Sequence, residues 1–185
     1  MKKSGVVKLY EALRKAYGPQ GWWPVPSRAG TPGYDEHGYH PGLYPPFRED
    51  EGAFFDIACS AVLTQNTAWR NAEAALTGLY FRGIDTFLKI VEADVEDIAA
   101  AVRPSGYYNQ KAKKLKAFAE AFGGSGILRR EDLTGFPGPL REKLLSIWGL
   151  GPETADSILL YGWDIPVFVV DAYTRRLVER YFGLD

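Results

Sequence analysis

Apolar residues recur at three- and four-residue spacings along most of this chain, and the elements that pattern predicts are helices. In residues 4–17, Val7, Tyr10, Leu13 and Tyr17 mark one face of an amphipathic helix that Gly18-Pro19 ends. Periodicity then stops. Residues 18–49, GPQGWWPVPSRAGTPGYDEHGYHPGLYPPFRE, are dense in Pro, Gly and Tyr and read as a long ordered or semi-ordered loop. Asp50 caps EGAFFDIACSAVL, a segment apolar on most faces and therefore expected to be a central buried helix. That helix breaks at Thr64-Gln65-Asn66-Thr67, where Thr67 is positioned to cap AWRNAEAALTGLY. Gly83 and Asp85 open a short helix through Val91, Asp94 caps another through Val102, and Arg103-Pro104-Ser105-Gly106 stops it. The next helix, QKAKKLKAFAEAF, starts at Asn109 or its neighbours and closes at Gly123-Gly124; Pro139 sits near the start of LREKLLSIW, which Gly149 closes. Strand patterns are nearly absent, so the expected class is all-α.

The C-terminal part carries the most information. After LLSIW come Gly149-Leu150-Gly151, Pro152 at the first helical position and ETADSILLYG, two helices joined by a hairpin with glycines where the backbone turns tightly. Such a hairpin presents backbone N–H groups and a helix dipole able to bind a phosphate without reading sequence, although a glycine turn between helices can also be a plain connection. The apolar run IPVFVV then ends in Asp171, which places a carboxylate at the start of the amphipathic helix AYTRRLVERYF.

Composition narrows the class. The chain has 185 residues, 46% hydrophobic and 24% charged, with a formal net charge of −1, which excludes fibrous and wholly disordered readings. No apolar run is long enough to cross a membrane, and the N-terminal segment carries Glu11 and Arg14 where a signal peptide needs an unbroken apolar core. A cytoplasmic, nucleoid-associated protein with no membrane partner is expected. The single cysteine, Cys59, excludes an intrachain disulfide and any four-cysteine cluster within these residues, and His37 and His40 are too few to make a metal site. Residues 1–100 hold 10 basic and 13 acidic side chains against 12 and 10 in residues 101–185, a bias too small to identify a partner alone. The aromatic share of 14% is more unusual, since several aromatics lie outside any helical stripe, where they can stack on a ligand.

The hairpin LSIWGLGPETADSILLYG followed by VFVVDAYTRRL resembles the helix-hairpin-helix (HhH-GPD) glycosylase superfamily of endonuclease III. AVLTQNTAWRNAEAAL and VRPSGYYNQKAKKL, with Trp22-Trp23-Pro24, look like the 3-methyladenine DNA glycosylases of the endonuclease III type. The resemblance implies two helical lobes with the active-site cleft between them. It divides the chain into residues 1–26, an N-terminal helix and pocket segment of the second lobe; residues 27–49, the loop; and residues 50–185, a helical barrel holding the hairpin at about 139–162 and the helix that Asp171 begins. It also implies C-terminal helices of the second lobe that this sequence does not contain, and an iron–sulfur cluster would require cysteines beyond Asp185.

The implied activity is a monofunctional glycosylase that flips an alkylated purine out of damaged double-stranded DNA and hydrolyses its N-glycosidic bond, in base excision repair. Asp171 would be the catalytic carboxylate, stabilising oxocarbenium charge on the sugar or orienting water; it can equally serve as an N-cap, and the two roles coexist. Trp22, Trp23, Pro24, Trp69 and Glu153 would line the base pocket, where an indole face attracts a cationic methylated purine. Core packing is the alternative for each Trp, and a plain first-turn acid is the alternative for Glu153. Bifunctional relatives carry a lysine where Glu153 stands, so no lyase step is expected. Gln65 would fill the gap left by the flipped base, or else cap a helix, while Gly149, Leu150 and Gly151 would meet the phosphates. Lys111, Lys114 and their neighbours are read as a solvated face in preference to a phosphate-facing one. Alternatives to the whole reading are an endonuclease III-like enzyme for another damaged or mismatched base, and a non-catalytic hairpin module that binds DNA.

Overall fold

The computed structural model describes residues 3–18, 21, 23–43, 47, 50–124 and 137–183. Every regular element among them is helical, in keeping with the sequence pattern. The chain forms two compact units, one of Met1–Pro45 with Val170–Asp185 and one of Pro46–Val169. The segment that Asp171 begins thus falls in the same unit as the N-terminal residues.

The larger unit is built around α2 (Glu51–Leu63), which packs against α3 (Trp69–Phe81), α6 (Tyr108–Ala119) and the C-terminal residues of the hairpin. Asp50 Oδ1 accepts from Ala53 N at 3.1 Å, the expected cap, and every residue from Phe55 to Leu63 is buried. Burial pushes the Cys59 thiol well up, with the charge of Asp56 adding to it, so this cysteine is an inert core side chain. Between α3 and α6 lie α4 (Phe87–Glu92) and α5 (Val95–Ala101); α7 (Pro137–Ser146) and α8 (Pro152–Ser157) follow. Phe54, Phe87, Phe118, Phe122 and Trp163 form a closed ring of aromatic neighbours with centroid separations between 4.4 and 5.6 Å. Much of the aromatic content is therefore core, placed by offset and edge packing between helices remote in sequence.

Several helix starts differ from the sequence expectation. Helix α3 begins after Ala68, and Thr67 makes no cap; its hydroxyl instead accepts from Asn71 Nδ2 at 3.2 Å. Thr86, not Gly83 or Asp85, caps α4, with Oγ1 accepting from Lys89 N at 3.2 Å. Asp94 holds the N-cap position of α5 without a side-chain bond. Helix α6 starts at Tyr108, one residue after Tyr107 turns left-handed at φ 47°. Helix α7 runs from Pro137, which puts Pro139 in its first turn, near the start as expected. The last turns before Gly124 and Gly162 widen into π-type turns. Helices α3 and α5 approach so closely that a Cβ at Gly78 would lie 2.2 Å from the Ala101 carbonyl oxygen.

Lys111 contradicts the solvated-face reading outright. It is 2% exposed, and its ammonium donates to the Leu63 carbonyl at 2.8 Å and the Ser105 carbonyl at 2.7 Å, closing the end of α2 and the turn before α6. Burial, helped by the nearby Lys114 charge, lowers its pKa to about 8.

In the smaller unit, α1 (Lys3–Tyr17) carries the expected stripe, with Val7, Tyr10, Leu13 and Tyr17 exposed. The loop is folded back on itself: Val25 N donates to Gly38 O at 2.9 Å, and Asp35 Oδ1 accepts from His37 N and Tyr39 N. Gly38, at φ 85°, permits this, because a Cβ there would meet the Val25 backbone at 2.3 Å. Helix α9 (Ala172–Phe182) completes the unit.

Two substitutions test this packing. Lys111→Met leaves two buried carbonyls without donors and should cost about 2–4 kcal/mol in urea unfolding. The unfolded chain holds this proton up to the ordinary lysine value of 10.5 and the folded chain only to about 8. Native stability therefore rises through that window, and the gap between the natural chain and Lys111→Met should widen with pH there. Gly78→Ala should lower stability by about 1–3 kcal/mol through overpacking of α3 on α5.

Candidate active site

The hairpin runs from α7 through residues 147–151 into α8. Gly149 turns at φ 88°, and Leu150, buried beneath the turn, donates its N–H to the Ile147 carbonyl at 3.2 Å. Gly151 is the N-cap of α8 with Pro152 in the first turn, as its sequence predicts, and Ala155 N donates to the Gly151 carbonyl at 2.9 Å. The two arms are clamped by Arg141, whose Nε and Nη2 donate to Asp156 Oδ1 and Oδ2 at 2.6 and 3.1 Å. The hydrogen bond and charge of Asp156 hold the Arg141 pKa above its ordinary value. Such a two-point pair fixes the angle between short helices more firmly than a single contact does.

The break between α2 and α3 lies against this turn. Thr64 N donates to Ser60 O at 2.8 Å, Thr67 N to Thr64 O at 3.3 Å, and Asn66 turns left-handed at φ 52°. Gln65, in the middle, directs its side chain at the hairpin: Nε2 donates to the Gly149 carbonyl at 3.2 Å and to Thr154 Oγ1 at 2.9 Å. Its Oε1 accepts from Lys114 Nζ at 2.5 Å. These side-chain bonds run to the hairpin and to Lys114, and Thr64, not Gln65, is the C-cap of α2. Four residues on, Trp69 is the first residue of α3 and is half-buried. Glu153 is exposed in the first turn of α8. Gln65, Gly149 and Thr154 are thus brought together, with Leu150 and Gly151 in the same turn.

The other expected residues belong to the smaller unit. Asp171 is the N-cap of α9, with extended backbone at φ −100° and ψ −179°, and its Oδ1 accepts from Thr174 N at 2.6 Å. The carboxylate is half-buried, and Oδ2 retains its lone pairs for other donors. Trp23 is 7% exposed at φ 90°, its carbonyl facing His40 Nε2 at 3.2 Å, and Pro24 is buried beside it. Trp22 lies outside the described residues. His40 also faces the Leu43 carbonyl through Nδ1, so it serves the loop, and no three His, Cys, Asp or Glu side chains gather as a metal site among the described residues.

The sequence did not mark Thr154, Arg141 or Asp156 as participants, and Lys114, read there as part of a solvated face, turns out to face Gln65. Lys114, Thr154 and the Arg141–Asp156 pair have no motif of their own, and only the fold shows what they touch. Trp148, 56% exposed next to Gly149, was readable as an aromatic at the hairpin but not as an exposed one.

Comparison with known proteins bears on this geometry. The chain is 36% identical, over 95% of its length and 69% of the relative's, to a candidate DNA repair glycosylase of Methanocaldococcus jannaschii. It is 31% identical to endonuclease III of Thermotoga maritima over 68% of this chain, and there it spans about half, 55%, of the relative. Among solved structures, the H. pylori 3-methyladenine DNA glycosylase bound to 1,N6-ethenoadenine superposes with a TM-score of 0.68 at 26% identity, covering 97% of this chain and 73% of that one. An endonuclease III in a DNA complex superposes with a TM-score of 0.67 at 14% identity, over 97% and 69%, a likeness of fold alone. Residues 59–185, which include the hairpin and Asp171, match the HhH-GPD superfamily, and the chain belongs to that family of base excision DNA repair proteins.

Proposed function

We propose that this chain is a monofunctional DNA glycosylase for alkylated purines of the 3-methyladenine type in duplex DNA. The observation that carries the reading is a succession of three features within the family match. They are a clamped hairpin turning at Gly149, an irregular apolar run from Ile165 to Val170, and Asp171 with one carboxylate oxygen anchored at a helix N-terminus. Cleavage of an N-glycosidic bond develops positive charge on the sugar, and a fixed carboxylate stabilises that charge without moving. Thr174 N–H orients Oδ1, leaving Oδ2 to face the sugar or to accept a proton from the attacking water. Gly149, Leu150 and Gly151 contact the phosphate backbone in this reading, with Leu150 buried to hold the turn. The partner is double-stranded DNA.

The damaged base leaves the stack before the bond can be reached. Trp69 stacks on it, with Trp22, Trp23, Pro24 and Glu153 as further pocket residues, and Gln65 meets the vacated position. A methylated purine is cationic and leaves readily, so it needs attraction from an indole face more than a strong general acid. The modified adenine held by the H. pylori enzyme supports a purine-type pocket. The position that carries a lysine nucleophile in bifunctional members is Glu153, exposed in the first turn of α8, which supports hydrolysis without a lyase step. The endonuclease III relatives favour a second reading, a glycosylase for a different damaged base.

Asp171→Asn keeps a good N-cap but removes the charge, so it should lower single-turnover base release about 100- to 1,000-fold while thermal stability and duplex affinity hold. Unchanged release in that variant would reduce Asp171 to a cap. Trp69→Ala should lower release of a cationic methylated purine by about tenfold or more, and Trp69→Phe by less, because stacking and cation–π attraction both scale with the ring.

A further inference from the structure

Lys114 rises from α6 and lies across the hairpin turn. A Cβ placed on Gly149 would fall 2.4 Å from Lys114 Cγ, 2.7 Å from Cδ and 2.8 Å from Cε, so the lysine stem fills the space over that glycine. Gly149 therefore serves two constraints at once, its left-handed φ of 88° and the close approach of the lysine chain. The stem ends in an ammonium on Gln65 Oε1. With its oxygen committed to a cation, the Gln65 amide has one orientation, and its two donors fall on the Gly149 carbonyl and Thr154 Oγ1, one on each side of the turn. The chain of contacts closes on itself: stem over Gly149, ammonium to Gln65, amide back to Gly149 and α8.

We propose that Lys114 is a positioning residue for the hairpin: through Gln65 it fixes the backbone from Gly149 to Thr154 in the form that meets DNA. The proposal rests on the reading that the hairpin engages duplex. A lysine near a nucleic-acid surface would ordinarily be assigned to a phosphate, but this ammonium is turned inward onto an amide whose two N–H donors are both engaged. Its charge strengthens the Gln65 contact, since a hydrogen bond with an ionised donor is about twice as strong as a neutral one. It follows that Gln65, while held this way, braces the turn and has no donor left for an orphaned base. Meeting the vacated position in DNA would require it to leave this brace.

The test uses Lys114→Met, which keeps an apolar stem over Gly149 and drops the ammonium, with Gln65→Leu and the double variant beside it. Without DNA, amide hydrogen exchange at residues 149–154 should quicken about tenfold in Lys114→Met while the amides of α2 and α3 hold their protection. The double variant should exchange no faster than Gln65→Leu alone, because the lysine acts through the amide. Duplex affinity should fall severalfold with the slope of log affinity against log salt unchanged.

A slope reduced by about one would make Lys114 a direct phosphate contact and overturn the proposal. Exchange that quickens throughout α2, α3 and α8 would make it a general packing residue, and exchange that does not change would dissolve the brace; either overturns it. A natural chain that fails to bind duplex at low salt would overturn the reading of the hairpin instead. The two failures separate because the exchange measurement requires no DNA.

Discussion

A helix buried on all sides must satisfy its last carbonyl groups without water, and in this protein that need is met at the end of α2 by one lysine. The carbonyl of Leu63 has no following turn to donate an N–H to it, and an orphaned buried acceptor costs about 1–3 kcal/mol. Lys111 reaches it from α6 and joins it to the Ser105 carbonyl. Holding an ammonium at 2% exposure is unfavourable, and its lowered pKa shows that the two bonds offset only part of that desolvation. The contact ties the central helix, the turn before α6 and α6 itself into one piece.

From that fixed point the rest of the larger unit follows. Because α2 stops where Lys111 holds it, the chain turns at Asn66 and Gln65 is delivered to the hairpin one residue beyond Thr64. One helical turn along α6, Lys114 meets Gln65 from the other side. The aromatic ring of Phe54, Phe87, Phe118, Phe122 and Trp163 joins α2 and α6 to the residue that follows the hairpin's last turn. The hairpin is thereby anchored at its turn by polar contacts, between its arms by Arg141 and Asp156, and at its far end by stacked rings. A surface that recognises the regular backbone of a duplex gains from such rigidity, since little conformational freedom is lost on binding.

What the sequence made legible was local. The hairpin could be read because Gly149, Gly151 and Pro152 are backbone signals that act within a few residues, and Asp171 because an acid before an amphipathic helix is a cap by its position. Helix α2 was equally legible, being apolar on nearly every face. What stayed hidden depends on distance along the chain. Lys111 and Lys114 lie in a run of four lysines that looks like a solvated face, and nothing local shows that two of them turn inward to partners 48 and 49 residues earlier. Phe54 lies in a helix legible as buried, but that it stacks on Trp163 stayed hidden, because the two are remote in sequence. Thr67 was the better capping residue by type, yet Ala68 holds the position, because the break is shaped by the Asn66 turn and not by the cap. Asp171 shows the limit from the other direction: its capping bond is visible in the structure, and the chemistry proposed for it belongs to an encounter with a substrate.

In the proposed mechanism a fixed carboxylate acts on a base that methylation has already made a good leaving group, with water as the nucleophile and Glu153 where a lysine in the second helix of the hairpin would attack the sugar. The measurement that reaches this most directly is incubation with methylated duplex DNA, reading released free base and strand breaks with and without alkali. Release of 3-methyladenine or 7-methylguanine, with breaks appearing only after alkali, is the predicted result. Breaks formed without alkali would reveal an amine nucleophile and contradict the hydrolytic mechanism, and DNA binding without release of any methylated base would contradict the alkyl-purine assignment itself.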